Sequence, residues 1–143
     1  MASDSYPPLL RRLILGATAL SLLAGCGSGS DYVAACRARQ STQLEGVHGC
    51  ITASNDVGNP SVEPLSDFPV EIFESAPPPT PGDGSTPFAQ ARSDAVGFYE
   101  IGLPAGTHQI CTSFRRCAEL TVPSASNVAL DYDFGVGPGW SQR

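Results

Sequence analysis

Five cysteines, at positions 26, 36, 50, 111 and 117, have the widest choice of chemistry in this sequence. A thiolate takes an acyl or alkyl group, pairs with a second thiol in an oxidising compartment, or ligates zinc. Zinc is disfavoured, because only His48 and His108 are available as nitrogen ligands and no Cys-x-x-Cys spacing occurs. The odd count becomes one plus four if Cys26 has a separate use. All eight basic residues are arginines. The absence of lysine excludes Schiff-base catalysis, a phosphate-loop lysine and lysine-asparagine isopeptide crosslinks.

The residues before Cys26 supply that separate use. Arg11 and Arg12 precede an uncharged apolar run over 13–23, which ends in Leu23-Ala24-Gly25-Cys26 and a Gly-Ser stretch. Positive charge stays on the cytoplasmic side, a short apolar helix enters the bilayer, and small residues at 24 and 25 fit a peptidase site. This is a lipobox in form. It predicts a signal peptide over 1–25, cleavage before Cys26, a diacylglyceryl group on its sulfur and a further acyl chain such as palmitate on the freed amine. An uncleaved anchor is disfavoured, since the apolar run rises only about 16 Å as a helix against a hydrocarbon core of about 30 Å. Burial of about 0.8 kcal/mol per methylene makes a multi-chain anchor effectively permanent. The expected location is a bacterial cell envelope. Gly27 stands where aspartate would retain enteric lipoproteins in the inner membrane, so the outer membrane is favoured.

Export favours disulfides among Cys36, Cys50, Cys111 and Cys117, for which three connectivities exist. Five residues separate Cys111 from Cys117, so a hairpin turning near 114–116 would set the two opposite each other. That leaves Cys36 with Cys50. Alternation points Ile51 and Ile110 inward and Cys50 and Cys111 outward, which argues against a bridge through the core.

Other candidate groups have plainer readings. Asp131 and Asp133 share one strand face and, with Asn55-Asp56, offer oxygens for calcium; a solvated strand edge is the favoured reading. Trp140 either stacks on a sugar or folds back over a sheet, and packing is favoured. His48 and His108 are the groups on which a small metal-dependent or hydrolytic enzyme would have to be built. Within 26–143, thirteen acidic residues face six arginines, a balance that disfavours a nucleic-acid partner.

Elements that would position these residues follow from turn content and alternation. Gly and Pro make 28 of 143 residues, ordinary for an all-β protein and high for a helical one. Residues 26–45 read as a lipidated tether followed by an irregular entry segment, with one or two helical turns over 33–39 as the only helix beyond the leader. Seven short strands are predicted, at 47–52, 68–74, 88–93, 98–102, 108–114, 118–122 and 128–134. Residues 75–87 hold five prolines and form a long exposed loop. A single sheet would leave one apolar face in water, so the prediction is a seven-stranded antiparallel β-sandwich over 46–134, with a Gly-rich tail at 135–143.

The segment 93–110, Ser-Asp-Ala-Val-Gly-Phe-Tyr-Glu-Ile-Gly-Leu-Pro-Ala-Gly-Thr-His-Gln-Ile, resembles the signature of carboxypeptidase regulatory-like domains in the transthyretin-like group. His108 replaces the usual tyrosine. Gly46-Val47-His48-Gly49-Cys50-Ile51 resembles the first strand of that family, and Pro64-Leu65 leading to 69–72 its second. The residues also have physical jobs of their own. Asp94 can cap the turn it opens, Gly97 supplies a positive φ, and Pro104 and Gly106 shape the next turn. Hydrolases of this fold group carry a Tyr-Arg-Gly-Ser ending that 137–143 lack. Intradiol dioxygenases hold iron with two tyrosines and two histidines; Tyr99, Tyr132, His48 and His108 are present without the surrounding motifs. The resemblance therefore implies a non-catalytic binding, adhesion or spacer module without a cofactor, its partner an envelope protein or a glycan.

Overall fold

The computed structural model describes residues 29–54, 62–74, 84–112, 116–135 and 138–143. The expected leader over 1–25, Cys26, Asn55-Asp56, most of the expected proline-rich loop and residues 113–115, where part of the hairpin turn is expected, lie outside the described residues. One helix, α1 (Gly29–Arg37), precedes nine strands: β1 (Gly46–Ser54), β2 (Val62–Pro64), β3 (Pro69–Glu74), β4 (Ala89–Arg92), β5 (Phe98–Gly102), β6 (Gly106–Thr112), β7 (Cys117–Val122), β8 (Asn127–Asp133) and β9 (Gly139–Gln142).

The strands form two sheets. In the larger, β1 is central, with β8 and then β9 on one side. On its other side β5 pairs with residues 46–50 and β2 with 52–54. The smaller sheet runs β4-β3-β6-β7, all antiparallel. Alternation explains the core between them. Val47, Ile51, Tyr99, Ile101, Leu130 and Tyr132 of one sheet meet Val70, Ile72, Ile110, Leu120 and Val122 of the other. Each such side chain contributes about 1.5–3 kcal/mol by leaving water.

Three expectations are corrected. The described residues hold nine strands rather than seven: β2 has three residues, too few to show alternation, and β9 lies among the glycines of the expected tail. The sandwich is not wholly antiparallel, because β1 and β8 run parallel, Val47 opposite Val128 and Ile51 opposite Tyr132. Helix α1 overlaps the turns expected over 33–39 but starts four residues earlier, in residues that read as tether and irregular chain. Its alanines favour helix, and Asp31 in the first turn and Arg37 in the last complement the helix dipole.

One position shows how tightly the parallel pair is made. A Cβ on Gly49 would stand 1.8 Å from the Leu130 carbonyl oxygen, well inside any contact distance. Gly49→Ala is expected to lower stability by about 3 kcal/mol or more, as overpacking against immovable backbone does; urea unfolding of the two proteins measures it.

Candidate functional site

Between α1 and β1 the chain crosses the outer face of the larger sheet antiparallel to β1, and the contacts advance in step. Cys36 is bonded to Cys50, Arg37 reaches Asp131, and Arg39 reaches Asp94. Ser41 and Thr42 then reach Glu100, and the carbonyl of Glu45 accepts from Leu103 N at 3.2 Å. Segment 38–45 thus covers residues that strand alternation points away from the core. Cys50 and Phe98 face outward and are nonetheless buried, forming a small second cluster with Cys36 and Val96.

At the centre lies Asp131, whose carboxylate is held by one backbone amide and two guanidinium groups. Oδ1 accepts from the Cys50 amide at 2.9 Å and lies 3.2 Å from Arg143 Nε. Oδ2 accepts from Arg37 Nε at 3.1 Å, and a second guanidinium nitrogen of Arg37 lies 3.1 Å from the same oxygen. The Cys50 bond spans a gap in the β1–β8 ladder, where residues 49 and 50 lack backbone partners on β8. On the other face of that gap the Tyr99 hydroxyl donates to Leu130 O at 2.6 Å. Burial first, and the Asp131 carboxylate second, push that hydroxyl well above its usual range, so it remains a donor.

Beside this clamp is a recess of about 300 Å³ whose walls include Val33, Arg37, Thr52, Val62, Asp133 and Ser141. Asp133 accepts from Ser54 N at 3.1 Å, Ser54 Oγ at 2.7 Å and Gly135 N at 3.2 Å. Among the described residues the carboxylates considered for calcium already have partners, Asp131 in Cys50, Arg37 and Arg143 and Asp133 in Ser54 and Gly135; Asn55-Asp56 lie outside the described residues. The recess has apolar and hydrogen-bonding walls and a charge-compensated floor, which suits an uncharged or zwitterionic group better than a bare ion.

The remaining sequence candidates are dispersed. His48 sits on the outer face beside Glu100 and donates from Nδ1 to Asn127 Oδ1. His108 belongs to the smaller sheet, donates from Nε2 to Pro104 O at 3.0 Å and stacks on Phe88. Tyr99 and Tyr132 lie in the core; the Tyr132 hydroxyl has no hydrogen-bond partner among the described residues. These four side chains do not converge. Trp140 packs edge-on against Tyr132, ring centroids 4.8 Å apart, and its Nε1 donates to Arg116 O at 3.0 Å.

The turn residues are tied to the same segment. Asp94 Oδ1 accepts from Val96 N at 2.9 Å and Phe98 N at 3.0 Å, while Oδ2 pairs with Arg39 at 2.9 Å. Gly97, at φ +80°, brings its carbonyl to the Ile51 amide at 2.8 Å. Between Pro104 and Gly106 the amide of Ala105 donates to Glu45 Oε1, and the amide of Ala125 to Oε2 of the same carboxylate. The disulfides join the pairs expected, Cys36–Cys50 and Cys111–Cys117. Cys111 lies directly opposite Cys117, with a Cα separation of 4.1 Å. Arg37, Glu45 and Arg143 carry much of this arrangement and no local sequence signal marks them, whereas Tyr99 and Glu100 fall within the 93–110 segment.

Two outcomes are expected. Removing the Asp131 carboxylate strands one buried amide and two guanidinium groups, so Asp131→Ala should cost about 3–5 kcal/mol in urea unfolding; Arg37→Ala should cost less, because that side chain is half exposed. The Glu100 carboxyl is held below its ordinary 4.5 chiefly by the Thr42 amide, with help from the Thr42 and Ser41 hydroxyls and His48, against the opposing effect of burial. A carboxylate lowered in this way stabilises the fold above 4.5, and the contribution is lost as pH falls through its folded-state value. Amide exchange at Thr42 should therefore quicken over that acid window in the native protein, whereas Glu100→Gln should abolish the pH dependence of that exchange beyond the intrinsic rate.

No protein-family model, curated protein or solved structure matches this chain.

Proposed function

We propose that this chain is an exported bacterial lipoprotein, acylated on Cys26, whose β-sandwich is a non-catalytic binding, adhesion or spacer module of the cell envelope. The observation that carries the reading is the use of the cysteines. Four of the five are joined to one another. Cys26 is left over, and it stands where a lipobox requires its acceptor thiol. Acylation there would fasten the domain to the outer membrane, as Gly27 favours.

The polar groups support a binding role over a catalytic one. The Ser41 hydroxyl is engaged by Glu100 and Asn127 rather than by a histidine, and each histidine is hydrogen-bonded to an amide oxygen. Residues 93–110 favour a carboxypeptidase regulatory-like sandwich, in which Asp94 and Gly97 serve the turn. The expected partner is a glycan or another envelope protein.

Feeding cells an alkyne analogue of palmitate and recovering the protein tests the anchor. The natural protein should take up the label and have its mature N-terminus at a modified Cys26, and Cys26→Ser should take up none. A lipid-free mature protein starting at another residue would refute the proposal.

A further inference from the structure

We infer that the lipid surface lies against one particular end of the sandwich, the end that carries Ser54 and Asp133, and that the end carrying Leu44, Phe88 and the turns at 103–106 and 123–126 points away from it. The inference rests on acylation of Cys26 as proposed above and adds the orientation that such an anchor imposes.

The argument is one of reach and pinning. Three residue steps separate Cys26 from Gly29, the first residue of α1, and at full extension they span about 11 Å. Helix α1 cannot act as further slack, because the Cys36–Cys50 bridge joins it to the central strand and the Arg37–Asp131 pair closes beside it. From α1 the chain runs antiparallel to β1. Val33 lies by Thr52, Val62 and Asp133, whereas Glu45 lies by the turns holding Ala105 and Ala125. The start of α1 is therefore at the Ser54 end. The nine residues of β1 separate the two ends by about 27 Å, well over twice the reach of the tether.

The far end is the one with apolar side chains in water. Leu44 is 91% exposed and Phe88 52%. Leu44 precedes the Glu45 that holds both far turns, and Phe88 stacks on His108, which is bonded to Pro104 O. A tether of flexible length would leave either end free to meet the bilayer. A short one joined to a pinned helix excludes the far end from it.

The test uses the full acylated protein in phosphatidylethanolamine and phosphatidylglycerol vesicles containing a nitroxide-headgroup lipid. A fluorophore is placed by Glu63→Cys on exposed β2 near Ser54, or by Ser124→Cys in an exposed far turn. Quenching should be several-fold stronger at position 63 than at position 124. Inserting about ten Gly and Ser residues between positions 28 and 29, worth about 17 Å of mean reach, should bring the two positions close to equality without touching the fold. Equal or reversed quenching in the uninserted protein, with the protein floating alongside the vesicles, would overturn the orientation and leave the anchor standing. Failure to float would overturn the anchor and the orientation together.

Discussion

A carboxylate in the seam between two parallel strands sets the architecture of the larger sheet. Where β1 and β8 cease to exchange backbone hydrogen bonds, Asp131 accepts the Cys50 amide and the Tyr99 hydroxyl donates to the Leu130 carbonyl. Gly49 makes this possible, because any side chain there would occupy the space of that carbonyl. An unpaired amide or carbonyl in such a place would cost about 1–3 kcal/mol. Burying the Asp131 charge brings a further requirement, met by Arg37 from α1 and Arg143 beyond β9. Helix, central strand and last strand are thus tied through one side chain.

The covered outer face follows from this arrangement. A strand with one wet face should alternate, but β1 is buried at five of its first six positions. Segment 38–45 accounts for this by lying over His48, Cys50 and Glu100, and in its middle, at Thr42 and Gln43, side chains rather than a ladder serve the backbone. Glu100 serves Ser41 and Thr42, Asn127 donates to Ser41 and Gln43, and Glu45 serves two turns. The segment is thus attached by hydrogen bonds, by the Arg39–Asp94 ion pair and by the Arg39 guanidinium over the Phe98 ring, and it starts just after the Cys36–Cys50 bridge.

These features differ in how legible they are from residue order. Alternation is cleanest over 128–134, where Val128, Leu130, Tyr132 and Phe134 share one side; it is visible in Val70 and Ile72 and in Tyr99 and Ile101, although Phe73 and Phe98 fall on the opposite side of their strands, and together these runs imply two sheets. The local spacing of Cys111 and Cys117 makes their pairing readable from hairpin geometry. Parallel pairing of β1 with β8 joins residues about eighty positions apart, and nothing local distinguishes it from an antiparallel neighbour. Helix α1 is short, with weak amphipathic character, and its place depends on the bridge at Cys36 and the ion pair at Arg37. Strand β9 is obscured by glycine and proline, which local propensity reads as loop although Tyr132 and Trp140 make it a strand. The recess has no sequence signature, because its walls come from five separate elements.

Trp140 joins the two layers at one open side, its ring against Tyr132 of its own sheet and its indole nitrogen on the residue that precedes β7 of the other. It is the sole tryptophan of the chain. The protein therefore carries an intrinsic fluorophore at the seam between its two sheets, and the colour of its emission reports whether that seam is closed.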